Sequence, residues 1–154
     1  MLRRWLYLMC FVLLIGHGLA SETAPPIHVL SVADVIHPVS AEYITESLKA
    51  AIQQGAQALI IQLDTPGGLD KSMRLIIKEM LNSPMPVIVY VAPSGSRAAS
   101  AGTFITLAAH VAAMAPGTNI GAAHPVAVGS GEMGKEMAEK VTNDAAAYIK
   151  SIAE

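Results

Sequence analysis

The sequence predicts an α/β fold with a mostly parallel sheet built from βαβ units, and three observations support this prediction. Apolar runs of strand length alternate along the chain with segments whose apolar residues recur at the helical period. The runs at 58–63 and 87–91 are nearly continuous in apolar residues, which is typical of strands buried on both faces of a sheet. Turns of glycine and other small residues follow these two runs. Strict alternation of this kind implies right-handed crossovers and a sheet covered on both sides.

The first half of the chain contributes two predicted strands with a helix between them. The strands are predicted over 27–36 and 58–63. Ser40 is predicted to cap the intervening helix and Gly55 to end it, because serine is favoured at N-caps and glycine just beyond the last turn. Between these two residues the apolar positions follow the helical period: Ile44, Leu48, Ala51 and Ile52.

The second half continues the alternation. A helix is predicted over 69–81, where one side is apolar, and the Pro-rich segment 82–86 ends it. A strand at 87–91 follows. After a turn of small residues, the sequence predicts a short helix at 104–110 and a short strand at 111–114. A last predicted helix carries three lysines: Lys135, Lys140 and Lys150.

Composition limits the classes of function. The net charge is −2 and no basic stripe is present, so we expect no nucleic-acid partner. Hydrophobic residues make up 53% of the chain and charged residues only 14%, a balance that indicates large buried contacts, a membrane neighbour or an oligomer. We expect a membrane-associated homodimer or higher oligomer. The one cysteine, Cys10, lies in the N-terminal segment, so the rest of the chain offers no thiolate. We expect no metal and no cofactor.

The N-terminal segment has the pattern of a signal peptide. Arg3 and Arg4 precede an apolar run at 5–15, and small residues follow at 18–20. We therefore expect a signal peptide at 1–20, one domain at 21–154, and export to the periplasm or the outer face of the cell membrane. An uncleaved anchor is the alternative, but the run is shorter than the roughly 20 residues that a membrane-spanning helix needs.

Ser100 lies in the turn at 93–103, between a predicted buried strand and a predicted helix. At a helix N-terminus, unpaired backbone N–H groups and the positive end of the helix dipole favour an alkoxide and an oxyanion. Serine in this place can also be a simple N-cap. The alanines and glycine around Ser100 favour a nucleophile, because they let a substrate backbone approach closely.

The segment 64–68, Asp-Thr-Pro-Gly-Gly, follows another predicted strand. Two adjacent glycines can adopt positive φ and aim N–H groups at an anion. An ordinary strand-to-helix turn would have the same sequence pattern. The spacing of a phosphate-binding loop is absent. In parallel sheets, active sites lie at the carboxyl ends of the strands. A turn that offers backbone N–H donors beside a nucleophile is what acyl transfer needs.

Three motifs, at 64–68, 98–103 and 113–122, resemble in order and spacing the NfeD-type membrane-bound serine proteases, a branch of the ClpP-like group. The resemblance runs from about Val32 to the end. It implies a ClpP/crotonase-like spiral α/β fold and peptide-bond hydrolysis by a Ser-Lys dyad. Ser100 matches the nucleophile of the family, and Lys140 matches its general base. The oxyanion is then expected on the backbone N–H groups of three residues: Gly67, Gly68 and Ala101.

The identity of the base depends on this resemblance. From the residues alone, Lys140 is a solvated helix lysine, and a nearby Asp144 would favour its charged form. His124 is the alternative base, since its distance from Ser100 is close to that in ClpP and histidine titrates near neutral pH. Asp64 is expected to be a turn residue and not the orienting acid of a triad.

The expected function is that of a membrane-associated serine endopeptidase that cleaves hydrophobic segments, with a stomatin-like membrane protein as the partner to which the family is linked. Three alternatives remain open at this point. They are a Ser-His hydrolase that uses His124, a crotonase-type acyl-thioester binder, and a non-catalytic scaffold. Longer members of the family continue into membrane helices and a small β-barrel, so we expect the protease domain to be truncated at its C-terminus.

Overall fold

A computed structural model describes residues 24–126 and 134–154. The predicted signal peptide at 1–20 lies outside the described residues. The strands are β1 (Ile27–Ala33), β2 (Ala58–Asp64), β3 (Val87–Val91), β4 (Arg97–Ala99), β5 (Val111–Met114) and β6 (Asn119–Gly121). The helices are α1 (Pro38–Gln53), α2 (Asp70–Leu81), α3 (Ala101–Leu107) and α4 (Lys135–Ala153). Within the described ranges, no helix is long and apolar enough to cross a membrane.

The main sheet has four strands in the order β1-β2-β3-β5, and every neighbouring pair is parallel. The predicted parallel α/β architecture is therefore confirmed. The two central strands β2 and β3 supply fully buried side chains, among them Ile61, Leu63 and Val89. The alternate residues of these strands are less buried, and Tyr90 is 37% exposed. Within the described residues, the prediction that the sheet is covered on both sides is therefore wrong: one face packs on the core, and the other is only partly covered.

The helices form a continuous packed series around the site. α1 packs against α2, α2 against α3, and α3 against α4. α2 follows the glycine turn at the end of β2, and Ser100 immediately precedes α3. This order brings the N-terminal ends of α2 and α3 to the same edge of the molecule, with α4 beside them.

A second, two-stranded parallel sheet joins β4 to β6, and the sequence analysis did not predict either strand. The helix after Ser100 was predicted over 104–110 but spans Ala101–Leu107. His110 is excluded from it because its N–H donates to Val87 O (3.0 Å) and its Nδ1 accepts from Val87 N (3.1 Å). The predicted strand 27–36 ends earlier, at Ala33.

The N-cap of α1 is His37, so the prediction that Ser40 caps this helix is wrong. His37 Nδ1 accepts from the backbone N–H groups of Val39 (3.2 Å) and Ser40 (3.3 Å). The Ser40 hydroxyl accepts from His37 N (2.8 Å), which makes Ser40 the reciprocal partner in a capping box. The cap moves to His37 because Pro38 fits the first helical position, where no N–H is needed.

This cap can be tested by substitution at His37. Because Ala offers no acceptor to the first turn, His37→Ala is expected to lower the free energy of unfolding by about 1 kcal/mol. His37→Asn keeps a side-chain acceptor and should retain most of the stability that the cap contributes. Urea denaturation measures both, with Val39→Ala, an exposed first-turn change, as the control. An unchanged stability in His37→Ala would contradict the assigned cap.

Candidate active site

The two turns singled out from the sequence lie side by side. Thr65, at the end of β2, donates its N–H to Arg97 O (2.7 Å) and accepts from Ala99 N (3.0 Å). Asp64 Oδ1 accepts from Arg97 N (3.0 Å), so this carboxylate supports β4 and does not orient a base. The glycine turn is thereby joined to the short strand that leads into Ser100.

Ser100 has a backbone conformation that side-chain-bearing residues rarely adopt, with φ 51° and ψ −115°. Such a conformation costs on the order of 1–3 kcal/mol and persists only where the surroundings impose it. Here Ser100 N donates to Gly121 O (2.8 Å), and the Thr103 hydroxyl donates to the same oxygen (2.8 Å). The Ser100 side chain makes no capping hydrogen bond to α3, although the residue occupies the N-cap position. The hydroxyl is therefore not used to cap the helix.

Gly67 lies directly against Ser100. Its φ is +114°, and a Cβ at this position would be 2.6 Å from Ser100 Cβ and 3.1 Å from Ser100 Oγ. Its N–H donates to Thr65 Oγ1 (3.1 Å) and its carbonyl accepts from Ile36 N (2.8 Å). Gly67 thus lets the two turns approach, while its own N–H is already paired inside the turn.

The N–H groups of Gly68 and Ala101 differ from that of Gly67. Neither has a hydrogen-bond partner among residues 24–126 and 134–154, and both residues line the same pocket as Ser100. Ala101 is the first residue of α3, where the intrahelical ladder leaves the N–H unpaired. Of the three predicted donors, these two have N–H groups available to an oxyanion.

This pocket has a volume of about 510 Å³ and brings together Ser100, Lys140, Gly68 and Ala101. The remaining walls are mostly apolar: Leu69, Met73, Phe104, Ala123, Pro125, Val126, Val141 and Ala145. Two carboxylates, Asp70 and Asp144, complete it. Within the part of the chain that the structure describes, no group of His, Cys, Asp and Glu side chains has the geometry to hold a metal ion.

The two candidate bases occupy different places. Lys140 lines the Ser100 pocket but is exposed, and it forms no ion pair with residues 24–126 or 134–154. His124 lines a smaller adjoining pocket of about 230 Å³, between the segment after β6 and α4. His124 is not among the residues that line the Ser100 pocket.

A cluster that the sequence analysis missed holds α4 in place. Arg74 on α2 donates from Nε to both Asp70 oxygens (3.1 and 3.0 Å) and from Nη2 to Asp144 on α4. The guanidinium also lies 4.1 Å from the ring centroid of Tyr148, and Tyr148 stacks on Phe104 with centroids 6.0 Å apart. The Asp70–Arg74 spacing is visible in the sequence as an i,i+4 pair. The link to Asp144 crosses 70 positions and leaves no local signal.

Burial and charge act in opposite directions in this cluster. Burial lowers the pKa of the Arg74 guanidinium, but the hydrogen bond and charge of Asp70 outweigh it, so this pKa is raised overall. Burial raises the pKa of the Tyr148 phenol, against the opposing effect of Arg74. Arg74 therefore stays charged and Tyr148 stays neutral across the physiological range.

The parallel sheet, the serine with positive φ at a helix N-terminus and the adjoining glycine turn define an α/β protein of the ClpP/crotonase-like class. The fold is shared with solved structures of a membrane-bound stomatin-specific protease. A serine-to-alanine variant of that protein matches with a TM-score of 0.78 and 41% identity, over 85% of this chain and 64% of that one. A lysine-to-alanine variant in complex with a substrate peptide matches with a TM-score of 0.77 and 39% identity, over 85% and 61%.

The chain belongs to the NfeD1b N-terminal domain family, whose model matches residues 26–154. It is 50% identical over 106 residues to a membrane-bound protease of Pyrococcus horikoshii, covering 68% of this chain and 24% of that protein. It is 36% identical over 97 residues to the membrane protein NfeD1b of Bacillus subtilis, covering 63% and 22%. The chain spans about a quarter of the length of these curated relatives. The family resemblance predicted from the three motifs is confirmed.

The contact between Gly67 and Ser100 predicts unequal effects for two glycine substitutions. Gly67→Ala and Gly95→Ala both place a side chain at positive φ, but only the first brings Cβ against other atoms. We therefore expect Gly67→Ala to lower the free energy of unfolding by about 1–3 kcal/mol more than Gly95→Ala, because an extra carbon is forced into a packed contact. Urea denaturation of both variants measures the difference, and equal losses would contradict the close approach.

Proposed function

We propose that this chain is the serine endopeptidase domain of a membrane-associated protease. Ser100 is the nucleophile, Lys140 the general base, and the N–H groups of Gly68 and Ala101 hold the oxyanion. The observation that carries the proposal is the single pocket lined by all four residues. Gly67 supports the site by permitting the turn to pack against Ser100, and its N–H is not assigned to the oxyanion.

The reaction follows from these positions. The neutral amine of Lys140 takes the proton of the Ser100 hydroxyl as Oγ bonds to the carbonyl carbon of the peptide. The carbonyl oxygen becomes an oxyanion that accepts from Gly68 N–H and Ala101 N–H. The Lys140 ammonium then gives its proton to the departing amine, and the C–N bond breaks to leave an acyl-enzyme. Water, deprotonated by Lys140, hydrolyses this ester and restores Ser100.

Lys140 must be neutral to act as a base, yet it is exposed in the structure. A substrate segment in the pocket would cover it, because Lys140 and the apolar walls line the same cavity. Removing water from an amine disfavours its charged form. Apolar substrates are thus expected to assist the base that cleaves them, which favours hydrophobic segments as substrates.

The related structures support the same assignment. They are variants at one serine and one lysine, and the variant at the lysine holds a substrate peptide. These two residues lie at nearly the same spacing along their chain as Ser100 and Lys140 do here. The related protease is described as stomatin-specific, so the hydrophobic part of a stomatin-like membrane protein is the proposed substrate.

Membrane association and oligomerisation belong to the same proposal. The matched relatives are named as membrane-bound or membrane proteins, which supports a location at the membrane. The signal-peptide pattern at 1–20 favours its extracytoplasmic face. β5 is an edge strand of the main sheet and exposes Val111 and Met114. An apolar edge with unpaired backbone groups supports association into a homodimer or higher oligomer.

Substitution of the two proposed catalytic residues tests the mechanism. Lys140→Ala is expected to lower kcat/KM towards a hydrophobic peptide by about 10²–10⁴-fold, the usual contribution of a general base. Lys140→Arg should be equally inactive, because a guanidinium does not lose its proton in this range. Ser100→Ala should abolish turnover, and the double variant should be no worse than Ser100→Ala alone, because the two residues act as one unit.

His124→Ala is the matched control for this series, and it should keep most of the activity. Loss of activity in His124→Ala, with Lys140→Ala unaffected, would instead identify a Ser-His hydrolase. A chain that cleaves no peptide but is stabilised by acyl thioesters would favour the crotonase-type alternative. Absence of both effects would leave the non-catalytic scaffold.

The oxyanion donors can be tested without changing either glycine. A peptide aldehyde that adds to Ser100 creates a tetrahedral oxygen, and the amide proton resonances of Gly68 and Ala101 should move downfield as they donate to it. The Gly67 amide should move less, because it already donates to Thr65 Oγ1. The same peptide ending in an alcohol is the control. An adduct at Ser100 by mass spectrometry without these shifts would contradict the assignment.

A further inference from the structure

The helix α4 presents Lys140, Asp144 and Tyr148 at intervals of four residues, so the three lie along one face. Lys140 and Asp144 both line the Ser100 pocket. Arg74 contacts the other two members of this row, donating to Asp144 and stacking over Tyr148. Arg74 therefore contacts α4 at two positions, one and two turns beyond Lys140.

A carboxylate four positions along a helix from a lysine favours the ammonium form of that lysine. This is the wrong form for a base that must accept a proton. In the structure, Asp144 is instead engaged by the Arg74 guanidinium. Because arginine stays charged at all relevant pH, its positive charge opposes the field of the Asp144 carboxylate at Lys140.

We propose that Arg74 is a positioning residue that neutralises Asp144 and thereby lets Lys140 lose its proton at a lower pH than it otherwise would. This inference rests on the proposed function, in which Lys140 is the base. It assigns a role to a residue that lies outside the lining of the pocket. It also accounts for an acidic residue on the catalytic face of α4, where a carboxylate alone would oppose catalysis.

The other charged and titratable groups near Lys140 are few. α2 contributes Asp70, which shares Arg74, and the segment after β6 contributes His124 on the adjoining pocket. α4 itself contributes Lys135, Glu136 and Glu139, none of which lines the pocket. α3 carries no titratable side chain. Within the described residues, Arg74 is the cation that forms an ion pair with Asp144.

The test compares the pH dependence of kcat/KM, with a hydrophobic peptide, in the full chain and four variants. Arg74→Gln should move the midpoint of the pH profile of kcat/KM upward by about 0.5 pH unit or more, because Asp144 is left unpaired. Arg74→Lys, which keeps the charge, should leave the midpoint near that of the parent chain. Arg74→Gln combined with Asp144→Asn should return the midpoint, whereas Arg74→Gln combined with Asp70→Asn should return it less, because Asp70 lies on α2 and Asp144 lies one turn from Lys140 on α4.

A lower rate at every pH with an unchanged midpoint in Arg74→Gln would overturn the inference, because that result describes a merely structural contact. A second readout needs no activity. The ¹³Cε resonance of Lys140, assigned by its absence in Lys140→Ala, reports the protonation of this amine directly. The pH midpoint of this resonance should also move upward in Arg74→Gln. Should the chain cleave no peptide at any pH, the proposed function fails, while this titration still decides the role of Arg74.

Discussion

The hydrogen bonds of Thr65 hold together the two turns on which the site depends. Its backbone pairs with β4 on both sides, and its hydroxyl accepts the Gly67 N–H. Its Cγ2 would lie only 2.6 Å from a Cβ at Gly102, in the first turn of α3. Thr65 is fully buried, so each of these groups would lose a partner without a water to replace it. One residue at the end of β2 thus fixes the donor turn, the strand before Ser100 and the helix after it.

The strained conformation of Ser100 depends on the small sheet in the same way. Ser100 N and the Thr103 hydroxyl both donate to Gly121 O, at the end of β6. β6 pairs with β4, so the strand that enters the serine turn and the one that supports it share hydrogen bonds. The segment after Gly121 then runs along the Ser100 pocket and supplies Ala123 and Pro125 to its wall. The surroundings therefore impose the backbone of the nucleophile and shape the substrate pocket together.

Much of this architecture was predictable from local sequence. Continuous apolar runs identified β2 and β3, although only alternate residues of these strands are fully buried. Small residues around Ser100 indicated close backbone approach, and Gly67 shows where it occurs. The strands β4 and β6 have only three residues each, too few to show a period, and their pairing depends on tertiary structure. The capping role of His37 was missed because histidine is not a favoured N-cap residue. The contact between Arg74 and Asp144 was missed because the two residues are 70 positions apart in the chain.

The helix α4 contributes no fully buried residue, unlike α1, α2 and α3. It is held by partly buried side chains such as Tyr148 and Ile149 and by the contacts of Arg74. Segments with so little buried surface open at a small fraction of the global free energy of unfolding, and their amides exchange with solvent accordingly. The half of the site that contains Ser100 is thus built into the core, while the half that contains Lys140 is attached by a weaker, separable interface. Any ligand that touches both halves stabilises the attached state by mass action, so assembly of the site is coupled to its occupancy.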